Sequence, residues 1–289
     1  MNEVQRFFVE DTRLGIPVDF TNEGIRGVES YRATNFPTQL GLGHTWNRDL
    51  IYKVGRITGR EGRMLGYTNV YAPILDVGRD QRWGRYEEVY GESPYLVAEL
   101  GIEMVKGMQY NHQVAATGKH FIAYSNNKGA REGMARVDPQ MSPREVEMVH
   151  VYPFRRVIKE AGLLGVMSSY NDYDGFPIQS SSYWLTTRLR GEWGFRGYVV
   201  SDGDAVVEYG MNGVWSETGN SKGDAISAST EMQDVGMTLD NDLKTCWQGN
   251  KGDYITFALE NGAKIDGLSI AWKKENTCEA DFVIQLSGG

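Results

Sequence analysis

The chain has 289 residues with a net charge of −8 at neutral pH, and 40% of its residues are hydrophobic and 24% charged. Such a length and composition are those of a globular protein with a sizeable core, organised as one large domain or two smaller ones. The negative charge argues against a nucleic-acid partner. No apolar run approaches the length of a membrane span, so we expect no membrane insertion.

The N-terminal segment reads MNEVQRFFVEDTRLGIP. It lacks a positively charged region followed by an apolar stretch, so no signal peptide is predicted within this chain.

Strand and helix patterns alternate over the first two hundred residues. Short apolar runs predict strands at Leu14–Phe20, Thr68–Ala72, Val114–Phe121, Leu164–Tyr170 and Gly197–Ser201. Helical spacing predicts helices at 47–65, 94–110, 142–161 and 181–192. In the third of these helices, Ser142 and Glu145 form the sequence pattern of a capping box. This alternation predicts an α/β fold with parallel strands joined by helical crossovers.

Two layouts fit that alternation, an open doubly wound sheet and an eight-stranded barrel. The first strand is followed by neither GxGxxG nor GxxxxGK[ST], either of which would favour a nucleotide-binding sheet. Polar residues instead follow several strands, namely Asn22, Glu23, Asp76, Lys119, His120, Tyr170, Asn171 and Asp202. A TIM-type (β/α)8 barrel builds its active site at those strand ends, so the barrel is preferred. Because only five strands can be identified, we expect it to be incomplete.

The composition of the sequence and the spacing of its apolar residues change after residue 209. The segment 210–223 is rich in Gly, Asn and Ser and is predicted to be a linker. In 224–289 the apolar residues alternate with period two, as in Ile255, Phe257 and Leu259, which predicts a small all-β sandwich-like segment. The predicted domains are therefore a barrel at 1–209, a linker at 210–223 and a β-rich segment at 224–289.

The residues at the strand ends suggest sugar chemistry. Retaining hydrolysis of a glycosidic bond needs a nucleophilic and an acidic carboxyl group, surrounded by donors for sugar hydroxyls. Asp202 follows a strand, Lys119 and His120 end another, and Glu23 and Arg85 are placed to complete the ring. The competing interpretations are that Asp202 is a helix cap or loop residue, and that Lys119 and His120 are structural or solvent-exposed.

Five segments in order resemble glycoside hydrolase family three, the β-glucosidase and β-xylosidase family. They are RLGIPVDFTNEGIRGV, APILDVGRDQRWGRYEEVYGESPYLVAELG, ATGKHF, GVMSSYNDYDGFP and LRGEWGFRGYVVSD. Together they cover roughly residues 1–207, and five ordered motifs are a specific signal.

This resemblance implies a role for each matching residue. Asp202, at the end of V-V-S-D, corresponds to the nucleophile. Sugar hydroxyls are bound by Lys119 and His120 of K-H-F, by Glu23 after the LGIP strand, and by an Arg of R-W-G-R, which is Arg85 with Arg82 as the alternative. Tyr170 of S-Y-N lies against the nucleophile. These residues lie in the segments GKHF, TNEG, RWGR, SSYN and VVSD.

The activity implied is hydrolysis of β-linked glucosides or xylosides by double displacement, with a β-glycoside or oligosaccharide as the partner. No metal or organic cofactor is expected, because side chains perform both steps. The family's habit of acting on external glycans implies a periplasmic or secreted protein.

Three features depart from the family pattern. Gly203 stands where an aromatic residue usually follows the nucleophile. No P-G-H-G loop follows K-H-F, where IAYSNN stands instead, which disfavours the subgroup that cleaves N-acetylglucosaminides. The general acid is therefore open among Glu87, Glu88, Glu92 and Glu208. The incomplete barrel suggests a fragment, a fusion, or a homo-oligomer in which another copy covers the gap.

The tail resembles part of a discoidin-type (coagulation factor type C) module, a common carbohydrate-binding appendage. On this resemblance Asp240, Asn241 and Asp242 match a loop that often holds a structural calcium, with a solvated turn as the alternative. Cys246 and Cys278 are compatible with one disulfide or two free thiols.

Two functional alternatives to the enzyme remain at the level of sequence. One is a non-catalytic carbohydrate-binding protein. The other is an inactive truncated hybrid that lacks the acid/base residue.

Overall fold

The computed structural model describes residues 1–126, 128 and 137–203, together with the backbone of residues 224–228 and 255–258. The chain divides into two compact units, Met1–Val206 and Val207–Gly289. The predicted linker, the candidate calcium residues Asp240 to Asp242, both cysteines and Glu208 lie outside the described residues.

The first unit alternates helices and strands. Its helices are α1 (Asn2–Glu10), α2 (Gln39–Gly43), α3 (Arg48–Leu65), α4 (Pro94–Met108), α5 (Pro143–Glu145) and α6 (Tyr152–Ala161). Two π-helices, Val146–Val151 and Tyr183–Glu192, complete the predicted helices 142–161 and 181–192. Its strands are β1 (Thr21–Glu23), β2 (Asn69–Tyr71), β3 (Ala115–Phe121), β4 (Gly165–Ser168), β5 (Asp172–Tyr173), β6 (Phe176–Pro177) and β7 (Tyr198–Ser201). None of the helices described in this chain is long and apolar enough to cross a membrane.

Five strands form one parallel sheet in the order β1-β2-β3-β4-β7. A doubly wound sheet reverses its strand order at a switch point, whereas a TIM-type barrel adds its strands in chain order. The observed order is therefore that of the barrel. Within the described residues, β1 pairs only with β2 and β7 only with β4.

The first predicted strand, Leu14–Phe20, is wrong in position, because β1 begins at Thr21. The main-chain groups of Val18 bond the Gln5 side chain of α1 at 2.7 and 3.1 Å, and Phe20 N–H donates to the Thr68 hydroxyl. These side-chain partners take the place of ladder bonds at Val18 and at the N–H of Phe20, whereas Phe20 O accepts from the main-chain N–H of Thr68 at 2.8 Å. Helix α1 and the β5–β6 hairpin were not predicted from sequence.

Side chains cap three of the four predicted helices at their first turns. The side-chain oxygen of Asn47 accepts from Leu50 N–H at the start of α3, and Ser93 Oγ accepts from Leu96 N–H at the start of α4. Ser142 Oγ accepts from Glu145 N–H at 3.2 Å, as its part of the capping box requires.

The core lies between the sheet and its covering helices, and α3 and α4 approach each other backbone to backbone. A Cβ on Gly55 would lie 2.5 Å from Met104 O, and one on Gly107 would lie 2.4 Å from Tyr52 O. Only glycine allows this approach. On the next helical segment, Val146, Phe154, Val157 and Ile158 are buried, as their spacing predicts.

The second unit is described at two strands only. β8 (Asp224–Ala228) and β9 (Ile255–Ala258) pair antiparallel. This is one β-ladder within the predicted sandwich, whose other strands fall outside the described residues.

Candidate active site

Polar side chains from all five strands of the parallel sheet collect at its carboxyl edge. Glu23 ends β1, Lys119 and His120 lie near the end of β3, and Asp202 directly follows β7. Because parallel strands end at the same edge, the fold brings residues 179 positions apart in sequence into one cluster. Asp202 N–H donates to Ser168 O of β4 at 3.3 Å, so its backbone continues the ladder to the rim.

An irregularity in β3 places two consecutive side chains in this cluster. The pairing of β3 with β4 shifts register between Gly118 and Phe121. In a regular strand, Lys119 and His120 would face opposite sides of the sheet, and a bulge re-aims a side chain. Lys119 Nζ here lies 2.7 Å from Glu23 Oε2, and His120 Nε2 lies 3.5 Å from Asp202 Oδ2.

Asp202 is a largely buried carboxylate beside two nitrogen groups. Its side chain is 15% exposed, Arg85 Nη1 lies 3.9 Å from Oδ2, and Oδ1 accepts from Gly203 N–H at 2.8 Å. Burial raises the pKa of Asp202, while the Gly203 N–H and the charges of Arg85 and Lys119 oppose that rise. The cations therefore favour the ionised form that a nucleophile requires.

Arg85 is held in place by a buried ion pair with Glu88. Its Nε and Nη2 each donate to a carboxylate oxygen of Glu88 at 2.8 Å. Both side chains are buried, and the guanidinium also faces the ring of Tyr124, 5.6 Å from its centre. The alternative arginine, Arg82, pairs with Asp80 on the surface, so the structure brings Arg85 into the cluster.

Two tyrosines form an aromatic wall beside the carboxylate. The ring centres of Tyr124 and Tyr170 are 5.6 Å apart, and Tyr124 also packs edge-on against His120 and Trp83. The Tyr170 hydroxyl donates to Gly203 O at 2.8 Å. Burial raises the pKa of Tyr170, and the Asp202 charge raises it further.

Asp76 belongs to the same cluster, although sequence reasoning gave it no role beyond its place after a strand. It is fully buried behind His120, and one of its oxygens, Oδ2, accepts from His120 N–H at 2.9 Å and contacts His120 Nδ1 at 2.7 Å. Burial raises the pKa of Asp76 to about 7. Tyr124, the other overlooked residue, carries no motif signal beyond its place four residues after His120.

The acid candidates separate by location. Glu88 is buried and bonded to Arg85, which identifies it structurally as the partner of that guanidinium. Glu87 pairs with Arg26 on the surface, and Glu92 accepts a bond from the Tyr86 hydroxyl. Among the described residues, no group of three or more His, Cys, Asp and Glu side chains is arranged to hold a metal ion.

The cluster thus presents one carboxylate, Asp202, surrounded by the donors of Lys119, His120 and Arg85 and by an aromatic wall. Such a set of converging donors suits a ligand with many hydroxyl groups, and the carboxylate is placed to act as a nucleophile or base on it.

Comparisons with known proteins point to one family. A β-xylosidase of Formosa agariphila is 39% identical over 208 residues, which are 67% of this chain and 28% of that protein. A periplasmic β-glucosidase of Salmonella typhimurium is 35% identical over 226 residues, covering 76% of this chain and 28% of that protein. The chain therefore spans less than a third of the length of these relatives.

A solved structure agrees with them. The β-glucosidase of Listeria innocua in complex with glucose superposes with a TM-score of 0.65 at 34% identity, over 73% of this chain and 29% of that chain. The family model described as the glycosyl hydrolase family 3 N-terminal domain matches residues 1–237, past the end of the first compact unit. The chain belongs to glycosyl hydrolase family 3, and its parallel sheet is part of that family's N-terminal domain, which has a TIM-barrel-type α/β fold.

Proposed function

We propose that this chain carries the nucleophile and the sugar-binding subsite of a retaining β-glycosidase acting on β-linked glucosides or xylosides. The observation that carries the proposal is the convergence of His120 and Arg85 on Oδ2 of Asp202, at 3.5 and 3.9 Å. The names of the relatives, β-xylosidase and β-glucosidase, support this substrate class.

The proposed reaction has two displacements. An oxygen of the Asp202 carboxylate attacks the anomeric carbon while the glycosidic C–O bond breaks, and the leaving oxygen keeps the electron pair and takes a proton from an acid. Water then attacks the same carbon and gives a proton to the conjugate base of that acid, while the bond between the carbon and the Asp202 oxygen breaks, which releases the sugar and restores the carboxylate. Lys119, His120, Arg85 and Glu23 bind sugar hydroxyls, and Tyr170 packs against the nucleophile.

Intact mass after incubation with an activated 2-fluoro-β-glucoside, and with the matching xyloside, tests the nucleophile. The activated leaving group needs no acid, so the trap asks only whether nucleophile and subsite are assembled. We expect a mass gain of one fluoro-sugar in the wild type and none in Asp202→Asn.

Asp19→Asn is the matched control. Its carboxylate bonds Thr68 and Asn69 at the opposite, amino ends of β1 and β2, so this variant should be labelled like the wild type. A folded wild type that stays unlabelled would exclude the enzyme and favour a non-catalytic carbohydrate-binding protein.

We further propose that the second unit is a discoidin-type carbohydrate-binding segment and that the protein is periplasmic or secreted. A homo-oligomer is proposed as well, supported by apolar side chains of α1 such as Phe7 and Val4 that are about half exposed. Light scattering tests the oligomer, and a monomer would contradict it.

A further inference from the structure

Among the described carboxylates at the strand ends, Asp76 meets His120 at Nδ1, the ring nitrogen opposite the one that lies nearest Asp202. It lies behind His120 and is fully buried. Its hydrogen bonds are to His120, so His120 is the residue through which its geometry can affect the site.

The contacts between the two residues define the orientation of the ring. Oδ2 of Asp76 accepts from the main-chain N–H of His120 at 2.9 Å and meets Nδ1 at 2.7 Å. An ionised carboxyl oxygen can only accept, so with Asp76 ionised the hydrogen of this bond is carried by Nδ1. The opposite ring nitrogen, Nε2, is then aimed at Oδ2 of Asp202, 3.5 Å away.

We propose that Asp76 is a positioning residue, which holds His120 with a proton on Nδ1 and directs Nε2 to the nucleophile and to the sugar hydroxyl beside it. The inference rests on the proposed function for its effect on rate, but the ring orientation it predicts exists without substrate. A buried carboxylate behind a histidine controls which ring nitrogen is protonated, because the second partner of an imidazole fixes its tautomer.

Because Oδ2 of Asp76 contacts both the main-chain nitrogen and Nδ1 of His120, the proposal predicts different outcomes for two variants at position 76. Because both donors of His120 meet at one oxygen, an Asn at position 76 satisfies them by placing its carbonyl oxygen there. Asp76→Asn should therefore keep Nδ1–H and form the fluoro-sugar adduct within about tenfold of the wild-type rate. Asp76→Ala offers no acceptor, so His120 should populate the Nε2–H tautomer and adduct formation should slow at least about 100-fold.

The tautomer is measured by two-bond ¹H–¹⁵N correlation spectra of the substrate-free protein labelled in its four histidines, with His120→Gln to assign the signal. The rate is measured by intact mass with the 2-fluoro-glycoside. The proposal stands if tautomer and rate change together in Asp76→Ala, while Asp76→Asn keeps the wild-type tautomer and a rate within about tenfold of the wild type. A wild-type tautomer in Asp76→Ala overturns it, as does a change in either quantity without the other.

A double mutant tests whether Asp76 acts through His120. In the His120→Ala background, adding Asp76→Ala should change the adduct rate by less than about twofold, since the path of coupling is already removed. A further large loss would mean that Asp76 acts in another way. If Asp76→Ala does not fold, Asp76→Asn decides alone: wild-type rate with an Nε2–H ring overturns the proposal. If the wild type forms no adduct, the proposed glycosidase function is contradicted. The histidine spectrum of the substrate-free protein still tests whether Asp76 sets the tautomer of His120.

Discussion

Two charged clusters in the first unit use the same residue types in opposite environments. The strand-end cluster consists of Asp76, Arg85, Glu88, Lys119, His120 and Asp202, all buried or nearly so. The outer helix cluster joins Arg48, Glu99, Glu103, Arg156 and Glu160 across α3, α4 and α6, with side chains up to about half exposed. The difference in solvent contact decides what each cluster can do.

In the strand-end cluster, burial raises the pKa of both Asp76 and Asp202, because a charge there has lost its hydration. In the outer helix cluster, the bond from Arg156 lowers the pKa of Glu160. Water screens the ion pairs of the outer helix cluster but not those of the strand-end cluster. The interactions between charges are therefore stronger in the strand-end cluster, where they can affect a bound substrate. Perturbed carboxyl groups at a strand-end rim are characteristic of functional sites, whereas a helix-surface network contributes modestly to stability.

The largest expected contrast comes from breaking one pair in each cluster. Glu88→Ala leaves the buried Arg85 without its bidentate partner and should lower the free energy of unfolding by about 3–5 kcal/mol. Glu160→Ala removes an exposed partner of Arg156 and should cost less than about 1 kcal/mol. Urea unfolding of both variants measures the difference, and equal losses would contradict the comparison.

The next effect is the pH dependence of stability, which has opposite signs for Asp76 in the strand-end cluster and for Glu160 in the outer helix cluster. The pKa of Asp76 rises on folding from 3.8 to about 7, so the unfolded chain releases this proton first and stability falls as pH increases between those values. Asp76→Asn should therefore gain stability relative to the wild type from pH 4 to pH 8, by at most about 4 kcal/mol.

Glu160 behaves in the opposite way. Its pKa is lowered on folding, so its contribution is present above about pH 4.5 and is lost as pH falls below that value. Glu160→Gln should differ from the wild type by a constant amount between pH 6 and pH 8. Thermal unfolding across the pH range checks both variants, and a pH-independent difference for Asp76→Asn would refute the assignment of the raised pKa.

A smaller effect is expected on the reaction. Lys119 is 2% exposed and bonded to Glu23, and its charge lowers the pKa of Asp202. Lys119→Met should slow formation of the fluoro-sugar adduct about 100-fold, which corresponds to about 2.7 kcal/mol of transition-state stabilisation. Lys106→Met, which removes an exposed lysine paired with Glu103 on α4, is the control and should react at the wild-type rate.

The smallest effect is that of salt. At 1 M salt the screening length falls to about 3 Å, so the stability difference between wild type and Glu160→Ala should shrink towards zero. The loss in Glu88→Ala should persist, since solvent ions do not reach that pair. Urea unfolding at low and high salt measures both, and a salt-sensitive Glu88 pair would show that water enters the strand-end cluster.

Much of the fold could be predicted from sequence because its signals are local. Helical spacing predicted α3, α4 and the helical segment 143–161 within a few residues, and the capping-box pattern of Ser142 and Glu145 predicted the start of the last of these. The first strand was misplaced, because Leu14–Phe20 has an apolar pattern but its main chain is bonded to Gln5 and Thr68. The side chains of Gln5 and Thr68 took the bonds of Val18 and of the Phe20 N–H that a neighbouring strand would have taken.

The sequence by itself determined the alternation of strands and helices, the family, and the polar residue that ends each strand, because these depend on spacing and motif. Only the tertiary structure decided that the strands add in barrel order, that Arg85 rather than Arg82 enters the cluster, and that Asp76 lies behind His120. Those outcomes depend on burial and on contacts between residues tens of positions apart. No local pattern encodes the distance between two side chains that meet only when the sheet forms.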